Sequence, residues 1–123
     1  MVIQQGDVFW VELGLPSGSE AGFRRPHVVI QNNAFNHSRI HTVVICAVST
    51  NLRLGEAPGN VLLAKGEASL PKPSVVNISQ LFTVDKQFLY EKIGSLSPRS
   101  LSKVLAGIQR LLEPREFGEQ AFP

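Results

Sequence analysis

Over most of its length the chain carries short apolar runs of strand character, and only near the end does a helical period take over. Val8-Phe9-Trp10-Val11-Glu12-Leu13 is rich in β-forming side chains and follows the turn pair Gly6-Asp7, which predicts a first strand. Gly14 to Gly22 holds Gly, Pro and Ser and predicts a loop. His27-Val28-Val29-Ile30-Gln31 predicts a second strand, with Pro26 at its mouth, where a missing N–H is tolerated. Asn32 to Arg39 is polar and reads as irregular. Thr42 to Val48 is nearly all apolar and predicts a central strand. Ser49-Thr50-Asn51 ends it, and a charged loop runs from Arg53 to Gly59. Asn60-Val61-Leu62-Leu63 predicts a further strand. After a loop with Pro71 and Pro73, Ser74 to Val84 predicts a long strand, bent or bulged in its middle.

Beyond Asp85 the period changes. Leu101, Leu105, Ile108 and Leu112 share one helical face, with Val104 and Leu111 beside them. Ser97 is a suitable N-cap, Pro98 a suitable first helical residue, and Pro114 a stop. About five closely spaced strands and one terminal helix predict a mainly β domain over residues 1–114, built as a small, strongly curved barrel. Residues 115–123 read as a flexible tail. Such a barrel is small for its apolar content, so a dimer covering one face is expected.

Composition narrows the function classes. With 123 residues, 43% apolar and 18% charged, the chain reads as one globular domain. A net charge of +2 does not mark a nucleic-acid binder but permits a local basic patch. The single cysteine, Cys46, excludes an intrachain disulfide framework and a cysteine metal cluster, and suits a reducing cytoplasm. Met1 to Asp7 lacks the basic and apolar regions of a signal peptide. The longest apolar run, Val43 to Val48, falls far short of the roughly 20 residues that span a bilayer.

Few residue patterns in the chain carry chemistry. His27, His37 and His41 form no helical His-x-x-x-His pair, and no acidic cluster has ligand spacing, so no metal or other cofactor is expected. Each histidine reads as a surface residue. No Gly-x-x-x-x-Gly-Lys phosphate loop and no Gly-x-Ser-x-Gly elbow is present. What remains is the loop Gly18 to Pro26, which brings Glu20, Arg24 and Arg25 within a few residues between glycines that let backbone approach a ligand. Arginine is the planar, bidentate donor suited to phosphate. The plain alternative is a solvated basic turn with Glu20 paired to an arginine. A second candidate is Ser49-Thr50-Asn51, whose hydroxyls end the apolar strand. They either face a cleft or cap a turn.

These segments, in order, resemble the MazF/PemK family of toxin endoribonucleases. The resemblance begins with Gly6-Asp7-Val8-Phe9-Trp10-Val11, Gly18-Ser19-Glu20 and Arg25-Pro26. It continues through Val43 to Leu52, Gly59-Asn60-Val61-Leu62-Leu63, Ser74 to Gln80, and Thr83-Val84-Asp85-Lys86, covering about residues 5 to 112. It implies an SH3-like small barrel of the MazF, CcdB and Kid type, forming a homodimer. It implies a type II toxin that cuts single-stranded RNA, mainly mRNA, without metal, leaving a 2′,3′-cyclic phosphate and a 5′-hydroxyl. The implied partner is a MazE-like antitoxin with a disordered acidic tail, through which any contact with operator DNA is made; no membrane is implied. By position the family's catalytic arginine falls on Arg25 and its catalytic threonine on Ser49, with Thr50 the neighbouring hydroxyl and Glu20 orienting Arg25 or assisting proton transfer. Arg24, Arg53, Gln80 and Thr83 are candidate RNA contacts. The chain departs from the family pattern in its Ser-Thr order, in Ala47-Val48 where a proline-containing lead is common, and in the extra charge of Arg24. Two alternatives remain: a non-catalytic toxin on the same barrel that binds DNA gyrase, as CcdB does, and a degenerate member that binds only antitoxin or nucleic acid.

Overall fold

The computed structural model describes residues 2–13 and 24–115. Six strands form one antiparallel sheet: β1 Asp7–Glu12, β2 Arg24–Val29, β3 Thr42–Ser49, β4 Val61–Leu63, β5 Ser74–Asp85 and β6 Leu89–Ser95. Their order across the sheet is β4-β5-β3-β2-β1-β6, so the apolar β3 is internal, as its composition predicts. The 3₁₀ turn Glu67–Ser69, which follows β4, packs on β6 at the opposite edge, drawing the two ends of the sheet together as in a small barrel. Contact there is so close that a Cβ on Gly94 would strike the backbone of Ala68.

Strand alternation divides the buried side chains into two cores. Val8, Val28, Cys46, Val48, Val76 and Ile78 belong to one, which the C-terminal helix covers with Val104 and Ile108. Phe9, Val11, Val29, Val43 and Ile45 belong to the other, joined by Ile3 and Leu89. Fully buried side chains such as Phe9 and Ile45 each contribute on the order of 1.5–3 kcal/mol over their exposed state.

The C-terminal helix, α2 (Pro98–Leu111), starts as expected. The Ser97 hydroxyl accepts from the Ser100 N–H at 3.1 Å, and proline follows at the first position. The Glu67 carboxylate adds a second bracket. It accepts from the Ser97 N–H at 3.1 Å and from the Ser100 hydroxyl at 2.6 Å, and these bonds hold its pKa below the usual carboxylate value. Val104, Gly107 and Ile108 are the buried face, whereas Leu111 and Leu112, expected on or beside it, are 45% and 67% exposed. The face is centred nearer the N-terminus because Gly107 seats the helix on the turn at Gly59, whose φ of +78° suits glycine.

Two segments differ from the sequence reading. The polar stretch after β2 contains the short helix α1 (Asn33–Asn36), held by polar bonds instead of an apolar stripe. Asn32 caps it, and the buried Asn36 exchanges hydrogen bonds with Gln31. The sixth strand, β6, is absent from the reading. Its residues are mostly exposed, and its register with β1 shifts twice, so no alternation marks it.

Candidate active site

The cleft lies where the second apolar face meets the end of the β2–β3 ladder. That ladder pairs Val29 with Ile45, Val28 with Cys46 and His27 with Ala47, and stops there. β2 continues through Pro26, which has no N–H to offer, and pairs only with β1. Carried two residues further, the same register brings Arg25 level with Ser49. Both lie on the face of His27 and Ala47.

The far wall is a bulge in β5. Cys46 pairs with Leu81 and Val48 with Val76, so Ala47 alone faces the four residues Asn77 to Gln80. The expected mid-strand irregularity is therefore present, and its consequence is chemical: it turns Asn77 and Gln80 toward β3. Asn60 fixes the bulge, its Oδ1 accepting from the Ile78 N–H at 2.9 Å and its Nδ2 donating to the Leu54 carbonyl at 2.8 Å and to Asn77 Oδ1 at 3.2 Å. One side chain thus ties the bulge to the 3₁₀ turn Leu52–Glu56.

The result is a cleft of about 450 Å³ into which Arg25, His27, Ser49, Asn77, Gln80 and Phe82 all face. Leu13, Ala47, Val48 and Leu54 complete an otherwise apolar lining, in which Arg25 is the one charged side chain among the described residues. Arg25 itself is exposed, so its donors are available to a ligand. The Ser49 hydroxyl accepts from the Asn51 N–H at 3.0 Å, which leaves its own proton free to donate. A guanidinium with no carboxylate partner among the described residues, sharing an apolar-floored cleft with a free hydroxyl donor, suits an anion such as a phosphodiester.

The remaining candidates lie elsewhere. Arg24, one residue from Arg25 and therefore on the opposite face of β2, pairs with Glu91 at 3.2 Å and stacks over Trp10 at 5.1 Å. Thr50 and Arg53 are exposed and line no part of the cleft, although Leu54 beside Arg53 does. Thr83 is exposed and pairs with Val44, while its neighbour Phe82 faces the cleft. Glu20, with Gly18 and Gly22, lies outside the described residues.

His27 is the main correction. Expected on the surface, it is 3% exposed and lines the cleft. Burial lowers its pKa, an effect that the nearby Arg25 charge reinforces and the hydrogen bond to the Arg25 carbonyl opposes. The signal available in the sequence was its spacing of two from Arg25, which a strand starting at Arg24 turns into a shared face. Asn77 was also missed, because its orientation depends on the bulge. His37 and His41 are exposed, as expected.

Comparison with known proteins agrees with this architecture. Residues 4–112 match the family described as PemK-like, MazF-like toxin of type II toxin–antitoxin system. The chain is 37% identical over 113 residues to the endoribonuclease MazF6 of Mycobacterium tuberculosis, covering 92% of this chain and 99% of that protein. It is 34% identical over 103 residues to the endoribonuclease MazF of Staphylococcus saprophyticus, covering 84% and 85%. A mycobacterial endoribonuclease in complex with its cognate antitoxin has a TM-score of 0.73 at 23% identity, covering 89% of this chain and 94% of that one. A MazE–MazF structure from Deinococcus radiodurans also gives 0.73, at 22% identity over 91% and 96%. At such identities the structures bear on the fold alone.

Proposed function

The chain belongs to the PemK-like, MazF-like family of type II toxins, and we propose that the cleft between β2, β3 and β5 is where it cleaves RNA as the family's endoribonucleases do. The observation that carries this reading is the convergence of Arg25 and Ser49 on one face beyond the end of the β2–β3 ladder.

Cleavage by the RNA's own 2′-hydroxyl needs in-line attack, loss of the hydroxyl proton, and stabilisation of a phosphorane with extra negative charge. Arg25 donates to the phosphoryl oxygens and strengthens those bonds as charge develops on them. Ser49 donates its free proton to the same phosphate and holds it in line. Gln80 and Arg53 meet the flanking nucleotides, and Phe82 and Leu54 offer apolar surface to a base. Glu20 orients Arg25 from the preceding loop. Arg24 is paired with Glu91 on the opposite face of β2, and Thr83 alternates away from the cleft-lining Phe82, so no RNA contact is assigned to either. The products are a 2′,3′-cyclic phosphate and a 5′-hydroxyl, and no metal takes part.

The relatives named above are endoribonucleases, which does not favour the gyrase-binding alternative. The partner is a MazE-like antitoxin, in keeping with the Deinococcus MazE–MazF structure and with the mycobacterial endoribonuclease bound to its cognate antitoxin, and the toxin acts as a homodimer in the cytoplasm. The test is incubation of a long single-stranded RNA with purified protein in excess EDTA, followed by analysis of the product ends. Discrete fragments with 5′-hydroxyl and cyclic phosphate ends are expected. Intact RNA, or cleavage only with added metal, contradicts the reading.

A further inference from the structure

The reaction above leaves one proton without an acceptor. A guanidinium, with an ordinary pKa above about 12, is a poor base. We propose that Nε2 of His27 takes the proton of the attacking 2′-hydroxyl, an assignment that rests on the endoribonuclease reading of the cleft.

Geometry carries the assignment. His27 stands two residues from Arg25 on the same face of β2 and lines the same cleft as Ser49. Its Nδ1 lies 3.0 Å from the Arg25 carbonyl oxygen. A carbonyl only accepts, so the ring proton sits on Nδ1 and Nε2 holds the lone pair. Nε2 has no partner among the described residues, yet no buried side-chain nitrogen or oxygen there lacks one. Nε2 therefore reaches the water of the cleft. The ring also packs edge to face with Phe82, centroids 5.8 Å apart.

Electrostatics supports the neutral, basic form. The residues packed against His27 from β1, β3 and β5 are Phe9, Ala47 and Phe82, all uncharged, and the facing Asn77 and Gln80 are uncharged too. Arg25, on its own strand, is the one charged group among the described cleft residues and disfavours a second cation. Imidazole in this setting is unprotonated at neutral pH and ready to accept.

The step balances without an added reagent. Nε2 gains the 2′-hydroxyl proton as the O2′–P bond forms. The P–O5′ bond breaks, and its electron pair leaves with the 5′-oxygen, which takes a proton from water. The hydroxide so formed removes the proton from the imidazolium and restores the base.

The test is single-turnover cleavage of a long mixed-sequence RNA transcript between pH 5 and 9. Wild type, His27→Ala and His27→Phe are compared, with Arg25→Ala as control. Wild-type rates should fall on the acid side, below the ordinary histidine value. Both His27 variants should lose about 10²-fold or more at neutral pH, lose that acid limb, and in His27→Ala regain rate with added imidazole. Variants at the wild-type rate overturn the assignment, as do slow variants that keep the wild-type limb, since those describe a merely positioning residue. Should the variants unfold, ring ¹⁵N shifts of wild-type His27 decide. The Nδ1–H tautomer and a response to a 2′-deoxy oligonucleotide are expected, whereas an Nε2–H tautomer overturns the proposal. Absence of cleavage by wild type overturns the nuclease reading and this one with it. Fully active His27 variants overturn this one alone.

Discussion

His27 Nδ1 donates to the carbonyl oxygen of Arg25 across 3.0 Å, within one strand, just where that strand loses its β3 partner. The bond ties the ring to the backbone that carries Arg25 and leaves the ring proton on Nδ1, while burial favours the neutral imidazole. Its pKa is lowered on folding, so the unfolded chain binds the proton more readily. His27 thus contributes stability above the unfolded value near 6.5, and that contribution is lost as pH falls through the lower folded value. The thermal midpoint should therefore drop between pH 7 and pH 5, and His27→Phe should show a smaller drop. Equal slopes in the two proteins would count against a neutral, buried His27.

The two adjacent hydroxyls differ in placement. Ser49 lines the cleft, whereas Thr50 is exposed outside it. A hydrogen bond to a charged group contributes about 1.5–3 kcal/mol, so Ser49→Ala should slow cleavage roughly 10- to 100-fold. Thr50→Ala should stay within a few-fold of wild type. Single-turnover rates on one RNA decide between them, and a larger loss in Thr50→Ala moves the role by one residue.

Cys46 is fully buried in β3, its thiol donating to the Asn77 carbonyl at 3.1 Å, and burial pushes its pKa up to about 12. The thiolate is the reactive form. The folded protein should therefore resist a thiol reagent at pH 8 and titrate one thiol in denaturant. Rapid labelling of the native protein would show that β3 opens near the bulge.

Gly107 offers a conflict of two effects. Alanine is favoured over glycine in a helix by about 1 kcal/mol. Here its Cβ would meet the carbonyl oxygen of Gly59, a backbone atom that cannot swing aside. Overpacking of this kind costs about 1–3 kcal/mol, so Gly107→Ala should lower stability in urea unfolding. A gain would mean the helix shifts freely on the Gly59 turn.

Much of the frame was legible because its causes are local. A cluster of β-forming side chains after a turn pair marks β1, an apolar run marks β3, and Ser97-Pro98 marks the start of α2. The site was only half legible. Arg25 stands out by chemistry and Ser49 by its strand end. Arg24 and Arg25 look alike as a pair, however, and separate only once β2 is seen to start at Arg24, which sends neighbours to opposite faces. His27 is buried by Phe82, which arrives from β5 beyond the bulge, so no local pattern announces it. β6 was hidden by its exposure and its register shifts, and α1 by a polar network with no period.

Arg25 carries the proposed chemistry, and it is exposed in the cleft, outside both buried cores. The most direct test is the single-turnover cleavage rate of purified Arg25→Ala on a long RNA, read beside its thermal midpoint. Removing one preorganised donor to a developing anion costs about 10²–10³-fold. A loss of at least that size is expected, with a midpoint close to wild type. Cleavage at the wild-type rate by a folded Arg25→Ala would contradict the role of Arg25.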